Sequence, residues 1–184
     1  MPSLKYDTLQ MLRDDYKKYS CFIETGTLDG GTIFALEPYF DNLYTVEYSE
    51  KYYNKTRSKY NGNKINFILG DSSNVFETLL PNIHDNTIFF LDGHWSSGDT
   101  GRSEKDCPLI EEVTHIYNLC KPSTIIIIDD CRMFGTCVNE DWSEITENSI
   151  MNVLKPRVEK SYYLNSECSQ NDRWIIHLSD VYNK

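Results

Sequence analysis

Cys21-Phe22-Ile23-Glu24-Thr25-Gly26-Thr27-Leu28-Asp29-Gly30-Gly31-Thr32 sets a short apolar run directly against a glycine-rich turn. Such a run predicts a buried strand closed by Glu24-Thr25-Gly26, and Gly30-Gly31-Thr32 opens a helix that Pro38 terminates. Upstream, Leu9, Leu12, Tyr16 and Tyr19 recur at helical spacing, so the chain from about Lys5 to Tyr19 reads as one amphipathic helix. Downstream, Asn42 to Tyr48 alternates as a second strand, with Leu43, Thr45 and Glu47 on one side and Tyr44 and Val46 on the other. A polar helix from about Ser49 to Tyr60 follows, whose tyrosines (Tyr48, Tyr52, Tyr53, Tyr60) read as helix packing. Lys64 to Leu69 is a third strand ended by Gly70-Asp71-Ser72, and Thr87 to Leu91 a fourth ended by Asp92-Gly93. A long connection leads to a helix with the buried stripe Leu109, Val113, Ile116 and Cys120. Ser123 to Ile128 then runs straight into Asp129-Asp130. Thr146 reads as a helix N-cap, with Ile145 and Ile150 as its hydrophobic staple. Ser161–Leu164 and Arg173–Leu178, joined by a short polar turn, pair as an antiparallel hairpin.

Strands alternating with helices imply an α/β fold with a mostly parallel sheet covered by helices on both faces. In such sheets ligands bind beyond the carboxyl ends of the strands. Those ends carry Glu24, Glu47, Asp71, Asp92 and Asp129-Asp130, and this acid rim reads as a site.

Composition narrows the function classes. The 184 residues fit one domain, with the core from about 20 to 178. Eighteen Lys and Arg against 28 Asp and Glu give a net charge of −10. An acidic chain without a basic face lacks the counterion-release term of duplex binding and has little attraction for anionic membranes, so neither nucleic acid nor membrane is expected as a partner. With 40% apolar and 13% aromatic residues there is enough to bury, which excludes disorder. No apolar run reaches the ~18 residues of a membrane span. Met1 to Asp7 is not followed by the apolar stretch of a signal peptide, so a cytoplasmic location is expected. The six cysteines form no C-x-x-C pair and are expected to be reduced and largely buried.

The glycine loop argues about the ligand. A dinucleotide fingerprint would place glycines at 26, 28 and 31, but position 28 is Leu, where close approach of a pyrophosphate needs glycine. A Walker loop lacks its Gly-Lys-Ser/Thr. A ligand with ribose and base but no phosphate suits the loop better. Glu47, about 20 residues beyond Gly26, stands where a carboxylate accepts from a ribose diol. Asp71 lies beyond it, at the position of an adenine amino group. A cationic ligand would gain from Glu24 and the general acidity. S-adenosylmethionine combines all three traits.

Glu24-x-Gly26-x-x-x-Gly30-x-Thr32, Glu47, Gly70-Asp71-Ser72 and the closing hairpin together resemble a class I S-adenosylmethionine-dependent methyltransferase, over roughly Cys21 to Leu178. The resemblance implies a Rossmann-like seven-stranded sheet with a C-terminal antiparallel hairpin. It also implies a cofactor site built from Glu24, Thr25, Gly26, Thr27, Gly30, Thr32, Glu47, Asp71, Ser72 and Asp92. Leu91-Asp92-Gly93-His94-Trp95 followed by Ile128-Asp129-Asp130 is similar to small macrocin-type sugar O-methyltransferases. That likeness implies a divalent cation, Mg²⁺ or Mn²⁺, held by Asp92, Asp129 and Asp130 beside a carbohydrate hydroxyl. His94-Trp95 stands where those enzymes usually carry another acid and an aromatic, which offers His94 as a base, so Asp92, His94 and Asp130 are the expected catalytic groups. A sugar hydroxyl is a poor nucleophile until deprotonated or coordinated. The long loop from Trp95 to Cys107 reads as a lid, with Trp95, Arg102 and Lys105 as acceptor contacts. A short chain leaves little room for an acceptor domain, so a homodimer partner or a fused or associated glycan-processing domain is expected to complete acceptor binding. Two other readings stay open: a nicotinamide-dependent sugar oxidoreductase, which Leu28 and the lack of a Tyr-x-x-x-Lys pair disfavour, and a non-catalytic module that keeps the cofactor pocket.

Overall fold

Five strands of nearly pure apolar or β-branched sequence build the centre of the molecule. They are β1 (Cys21–Thr25), β2 (Asn42–Glu47), β3 (Ile65–Leu69), β4 (Thr87–Leu91) and β5 (Thr124–Ile128). The computed structural model describes residues 3–95 and 105–181. β1, β4 and β5 are buried along their whole length, as strands covered on both faces must be. With β6 (Val158–Leu164) and β7 (Arg173–Leu178) they form one seven-stranded sheet of order β3-β2-β1-β4-β5-β7-β6. β1 to β5 run parallel, whereas β7 is antiparallel to both β5 and β6. This is the expected sheet with its C-terminal hairpin.

Two apolar layers cover the sheet. Alternation puts Phe22, Leu43, Ile88, Phe90, Ile125, Ile127 and Ile175 on one face, under α1 (Tyr6–Met11) and α2 (Gly31–Leu36). Ile23, Val46, Phe89, Leu91, Ile126, Ile128 and Trp174 pack on the other, under α4 (Ser72–Leu79), α5 (Leu109–Leu119) and α6 (Glu147–Leu154). Thr146 caps α6 in a reciprocal capping box with Ser149, and Ile145 and Ile150 are both buried beside it, as the staple reading expects.

The helices depart from the sequence reading in three places. The segment from Lys5 to Tyr19 is not one helix. It ends after Met11, Leu12 is extended, and the Asp15 carboxylate caps a separate 3₁₀ turn, Tyr16–Lys18, by accepting from the Lys17 N–H. The helix α4, absent from that reading, fills the connection between β3 and β4, with Asp71 as its N-cap. The polar helix is shorter than expected, α3 (Glu50–Arg57). All six cysteines are free; Cys21, Cys107 and Cys120 are buried, Cys131 is half-buried, and Cys137 and Cys168 are exposed, so burial is less general than expected. Among the described residues, no helix is long and apolar enough to cross a membrane.

From β1 the chain crosses to β2 and β3 on one side, then returns to β4 and β5 on the other. The carboxyl ends of β1 and β4 therefore flank the point where strand order reverses, which is where open α/β sheets leave a crevice.

Candidate active site

A cleft opens at that reversal. Its floor is Thr25, Gly26 and Leu28 from the β1 turn and Asp92 and Gly93 from the β4 end. The β1 turn fits there because it carries almost no side chain. Gly26 is left-handed (φ +86°), and a Cβ on it would lie 2.5 Å from the Asp92 carbonyl oxygen. A Cβ on Gly93 would lie 2.8 Å from Thr25 Oγ1. Leu28 is itself left-handed (φ 45°), a conformation that costs a branched side chain about 1–2 kcal/mol. That turn aims the Leu28 N–H at Glu47.

Glu47 walls one side. Its two oxygens accept from the Leu28 and Ser49 N–H groups, both at 2.8 Å. Burial pushes its pKa up, while backbone N–H groups of the two adjoining turns pull it down. Two backbone donors leave about half of a carboxylate's lone-pair positions for a ligand. Beyond it, the Asp71 Oδ1 accepts from the Ser73 N–H (3.0 Å) and hydroxyl (2.7 Å), and Ser72 donates its hydroxyl to Glu112 Oε1 at 2.6 Å. Glu112, from α5, is buried, and that burial pushes its pKa up to about 7 against the pull of the Ser72 hydroxyl.

The expected cofactor residues thus divide. Thr25, Gly26, Glu47, Asp71, Ser72 and Asp92 line the cleft; Glu24, Thr27, Gly30 and Thr32 do not. Glu24 lies within β1, 1% exposed, and accepts from the Thr45 hydroxyl at 2.7 Å, which in turn meets the Thr27 hydroxyl at 2.5 Å. Burial raises its pKa well above the usual carboxylate value, which favours the neutral acid. Gly30 (φ +80°) and Thr32, whose hydroxyl accepts from the Leu4 N–H, shape the start of α2. Tyr48 and Tyr52, expected to be helix packing, instead face the cleft, while Tyr60 packs against Phe34 and Phe67 as expected.

At the other end the β4 and β5 termini converge on His94. Its Nε2 lies 3.0 Å from Asp130 Oδ2 and 3.7 Å from Asp92 Oδ1. Its Nδ1 lies 2.8 Å from Glu140 Oε2, which also accepts from the Trp142 indole N–H at 3.1 Å. Burial alone would lower the His94 pKa, but the Asp130 hydrogen bond and the charges of Asp92, Glu140 and Asp130 outweigh it and bring it up to about 9. The raised pKa favours the protonated ring, whose two nitrogens each face a carboxylate. Glu140 and Trp142 sit in an irregular segment with no periodicity, so no sequence signal singles them out.

The two neighbouring acids have opposite fates. Asp92 is buried, and burial first, then the Asp129 charge, raises its pKa well above the usual carboxylate range. Burial also raises that of Asp130, but His94 and Arg132, whose Nη1 lies 2.6 Å from Asp130 Oδ1, reverse the sign and lower it. Asp129 turns away to an ion pair with Arg173, with Nε 3.2 Å from Oδ1.

The expected cation ligands are therefore regrouped. Among the described residues, Asp92, His94 and Asp130 each bring one ligand atom within 4.8 Å of the other two. Asp129, Asp130 and Asp172 also meet that distance; Arg173 holds Asp129, and Arg132 holds Asp172 and also Asp130, the member common to both groups. The first set fits a divalent cation: two carboxylates and an imidazole whose far nitrogen is fixed by Glu140, the usual way a ligating histidine is oriented. Of the expected acceptor contacts, Trp95 and Lys105 line the cleft mouth, where the Trp95 N–H donates to the Asp106 carbonyl at 2.7 Å and Lys105 pairs with Glu111. Arg102 lies outside the described residues.

Solved structures share this architecture at low sequence identity. The O-methyltransferase TomG from Streptomyces achromogenes, solved with S-adenosylmethionine, superposes with a TM-score of 0.62 at 14% identity, over 89% of this chain and 74% of that one. A putative O-methyltransferase from Klebsiella pneumoniae gives 0.66 at 12% identity, over 97% and 82%. The fold is that of the S-adenosylmethionine-dependent methyltransferases. The N-methyltransferase NodS from Bradyrhizobium japonicum WM9 gives 0.57 at 11% identity, over 95% and 93%, so this fold serves nitrogen as well as oxygen acceptors. No protein-family model matches this chain, and neither does any curated protein.

Proposed function

We propose that this methyltransferase-fold protein is an S-adenosylmethionine-dependent O-methyltransferase acting on a hydroxyl of a sugar or glycan. The observation that carries the reading is one cleft that runs from Gly26, Glu47 and Asp71 to Asp92 and His94, the latter in contact with Asp130. In this reading Glu47 accepts from the ribose diol and Asp71 faces the adenine, with Tyr48 and Tyr52 beside the base and ribose. The methyl donor then lies toward Asp92, next to the groups that prepare the acceptor.

Transfer is an in-line displacement, so most of the rate comes from alignment of oxygen, methyl carbon and sulfur. Asp92 and Asp130 are two carboxyls whose environments push their pKa values apart, the pattern that assigns acid–base roles. Asp92, on the cleft floor and 3.7 Å from His94, takes the hydroxyl proton when it enters in its ionised form. Asp130 stays charged between His94 and Arg132 and holds the acceptor in register. A bound divalent cation at these residues would polarise the acceptor oxygen and lower its pKa. Trp95 at the mouth offers a flat face for the apolar side of a sugar. A second copy of the chain or a fused or associated glycan-processing domain completes acceptor recognition.

Calorimetry with S-adenosylhomocysteine tests the cofactor half: micromolar binding, roughly −8 kcal/mol, is expected. Methyl transfer from labelled cofactor to a panel of free sugars and glycosides tests the acceptor half. Cofactor binding with transfer only to phenols or amines would overturn the sugar assignment, and no cofactor binding would overturn the whole reading.

A further inference from the structure

The buried stripe of α5 is apolar at Leu109, Val113 and Ile116, and Glu112 interrupts it. The residue is 1% exposed, and a carboxyl taken that far out of water costs stability unless hydrogen bonds offset it. Its Oε1 accepts the Ser72 hydroxyl at 2.6 Å. Gly93 makes room for this approach, since a Cβ there would lie 3.4 Å from Glu112 Oε1. Glu112 does not itself line the cleft; it stands behind Ser72 and Gly93, which do. A serine hydroxyl has one proton to donate. With that proton given to Glu112, Ser72 Oγ can only accept from whatever occupies the cleft. Its neighbour Asp71 is an acceptor too: Oδ1 takes the Ser73 N–H and hydroxyl, and Oδ2 has no hydrogen-bond partner among the described residues. This corner of the cleft therefore sets two side-chain acceptors side by side, the complement of an amino group.

We infer that Glu112 is a positioning residue for nucleobase selectivity: by taking the Ser72 proton it fixes Ser72 Oγ as an acceptor, so that the cleft selects a 6-amino purine over a 6-oxo purine. The inference rests on the proposed function for placing the base beside Asp71. A 6-oxo purine sets its carbonyl oxygen against these acceptors, lone pair against lone pair, and leaves them without the amino group they are arranged to meet. Without Glu112 the Ser72 hydroxyl is free to turn and donate to that carbonyl, and the discrimination falls.

The test is calorimetric titration of the full chain with S-adenosylhomocysteine and with S-inosylhomocysteine, its 6-oxo analogue, at about pH 8.5. That lies above the value of about 7 to which burial pushes Glu112, so the group is a carboxylate and can only accept. Wild type is expected to bind the adenosyl compound about 30-fold or more tighter. Glu112→Leu, which continues the apolar stripe of α5, is expected to lower that ratio about tenfold, and Ser72→Ala to lower it by about as much. The double variant is expected to lower it no further than Ser72→Ala alone, because one residue acts through the other. Glu112→Gln keeps an oxygen for the Ser72 proton and is expected to hold the ratio within about threefold of wild type. A merely structural Glu112 would weaken both ligands alike and leave the ratio where it was. Should Glu112→Leu fail to fold, the smaller Glu112→Ala takes its place. Equal affinity of wild type for the two compounds, or a wild-type ratio kept in a folded Glu112→Leu or Glu112→Ala protein, overturns the inference while the methyltransferase reading stands. A wild-type chain that binds neither compound removes that reading, and the inference with it.

Discussion

Replacing Glu47 by glutamine changes one oxygen into an amino group and removes the charge, with the side-chain volume kept. In the native cleft both oxygens already serve a backbone donor, Leu28 N–H and Ser49 N–H at 2.8 Å each. The new amide nitrogen must therefore face one of these donors, leaving a buried N–H without its acceptor at a cost of about 1–3 kcal/mol. That cost falls on folding and on the β1 turn in the free and bound protein alike. Binding loses a further contribution: the ribose diol exchanges a charged acceptor for a neutral one and keeps one acceptor oxygen. A hydrogen bond to a charged group contributes about 1.5–3 kcal/mol, so affinity should fall between roughly tenfold and 150-fold. Calorimetry with S-adenosylhomocysteine reads the binding loss, and urea unfolding of the same samples reads the stability loss. A folded Glu47→Gln protein that binds within about threefold of wild type would refute the ribose assignment, because no neutral side chain replaces a charged acceptor at so small a cost.

Glu24→Gln should raise stability at neutral pH. The buried carboxyl is protonated in the folded protein well above its ordinary 4.5, so its contribution is full below that value and is lost as pH rises, at up to about 1.4 kcal/mol per pH unit. Urea curves from pH 5 to 7.5 should show this slope in wild type beyond that in the variant, with cofactor affinity unchanged; parallel curves would contradict the neutral acid. Asp130→Asn should lower turnover by about 100-fold or more while cofactor affinity stays within threefold, and full activity would take Asp130 out of the chemistry. Gly26→Ala should lose at least about 1–2 kcal/mol of stability and most cofactor binding, since the added methyl meets the Asp92 carbonyl at 2.5 Å in a left-handed turn; a melting point equal to wild type would show that the β1 turn is not so confined.

What the sequence makes legible follows from what periodicity encodes. Ile125–Ile128 and Thr87–Leu91 have no polar face, so they announce central parallel strands, while β2 shows itself by alternation and β6 only by pairing with β7. Ser72–Leu79 does not announce itself: only Val75, Phe76 and Leu79 are apolar, and its cap, Asp71, sits in a Gly-Asp-Ser that also reads as a turn. Leu9, Leu12, Tyr16 and Tyr19 keep a helical burial rhythm although the backbone becomes extended at Leu12 and restarts as a 3₁₀ turn at Tyr16, because the pattern records which side chains face the core rather than the backbone that brings them there. Glu24 reads as a rim acid from its place near a strand end. The alternation of a strand argues otherwise, since Glu24 shares the face of Phe22 and only Thr25 faces the cleft. Glu140 and Trp142, which fix His94, lie in an irregular stretch where nothing in the residue order marks them.

Two local backbone choices convert that order into a site. Asp129 and Asp130 read as a single chelating pair, but Asp130 is left-handed (φ 59°), a conformation that Asp tolerates better than most residues. The turn gives consecutive carboxylates different partners, Asp129 paired inward with Arg173 and Asp130 with His94 and Arg132, so neither shares a charge partner with the other. Gly26 makes the second choice. In a dinucleotide fold the first glycine makes the tight turn; in this chain the space Gly26 leaves is taken by the Asp92 carbonyl, and the ends of β1 and β4 close on each other. That contact brings the cleft and the acid–histidine cluster against one another.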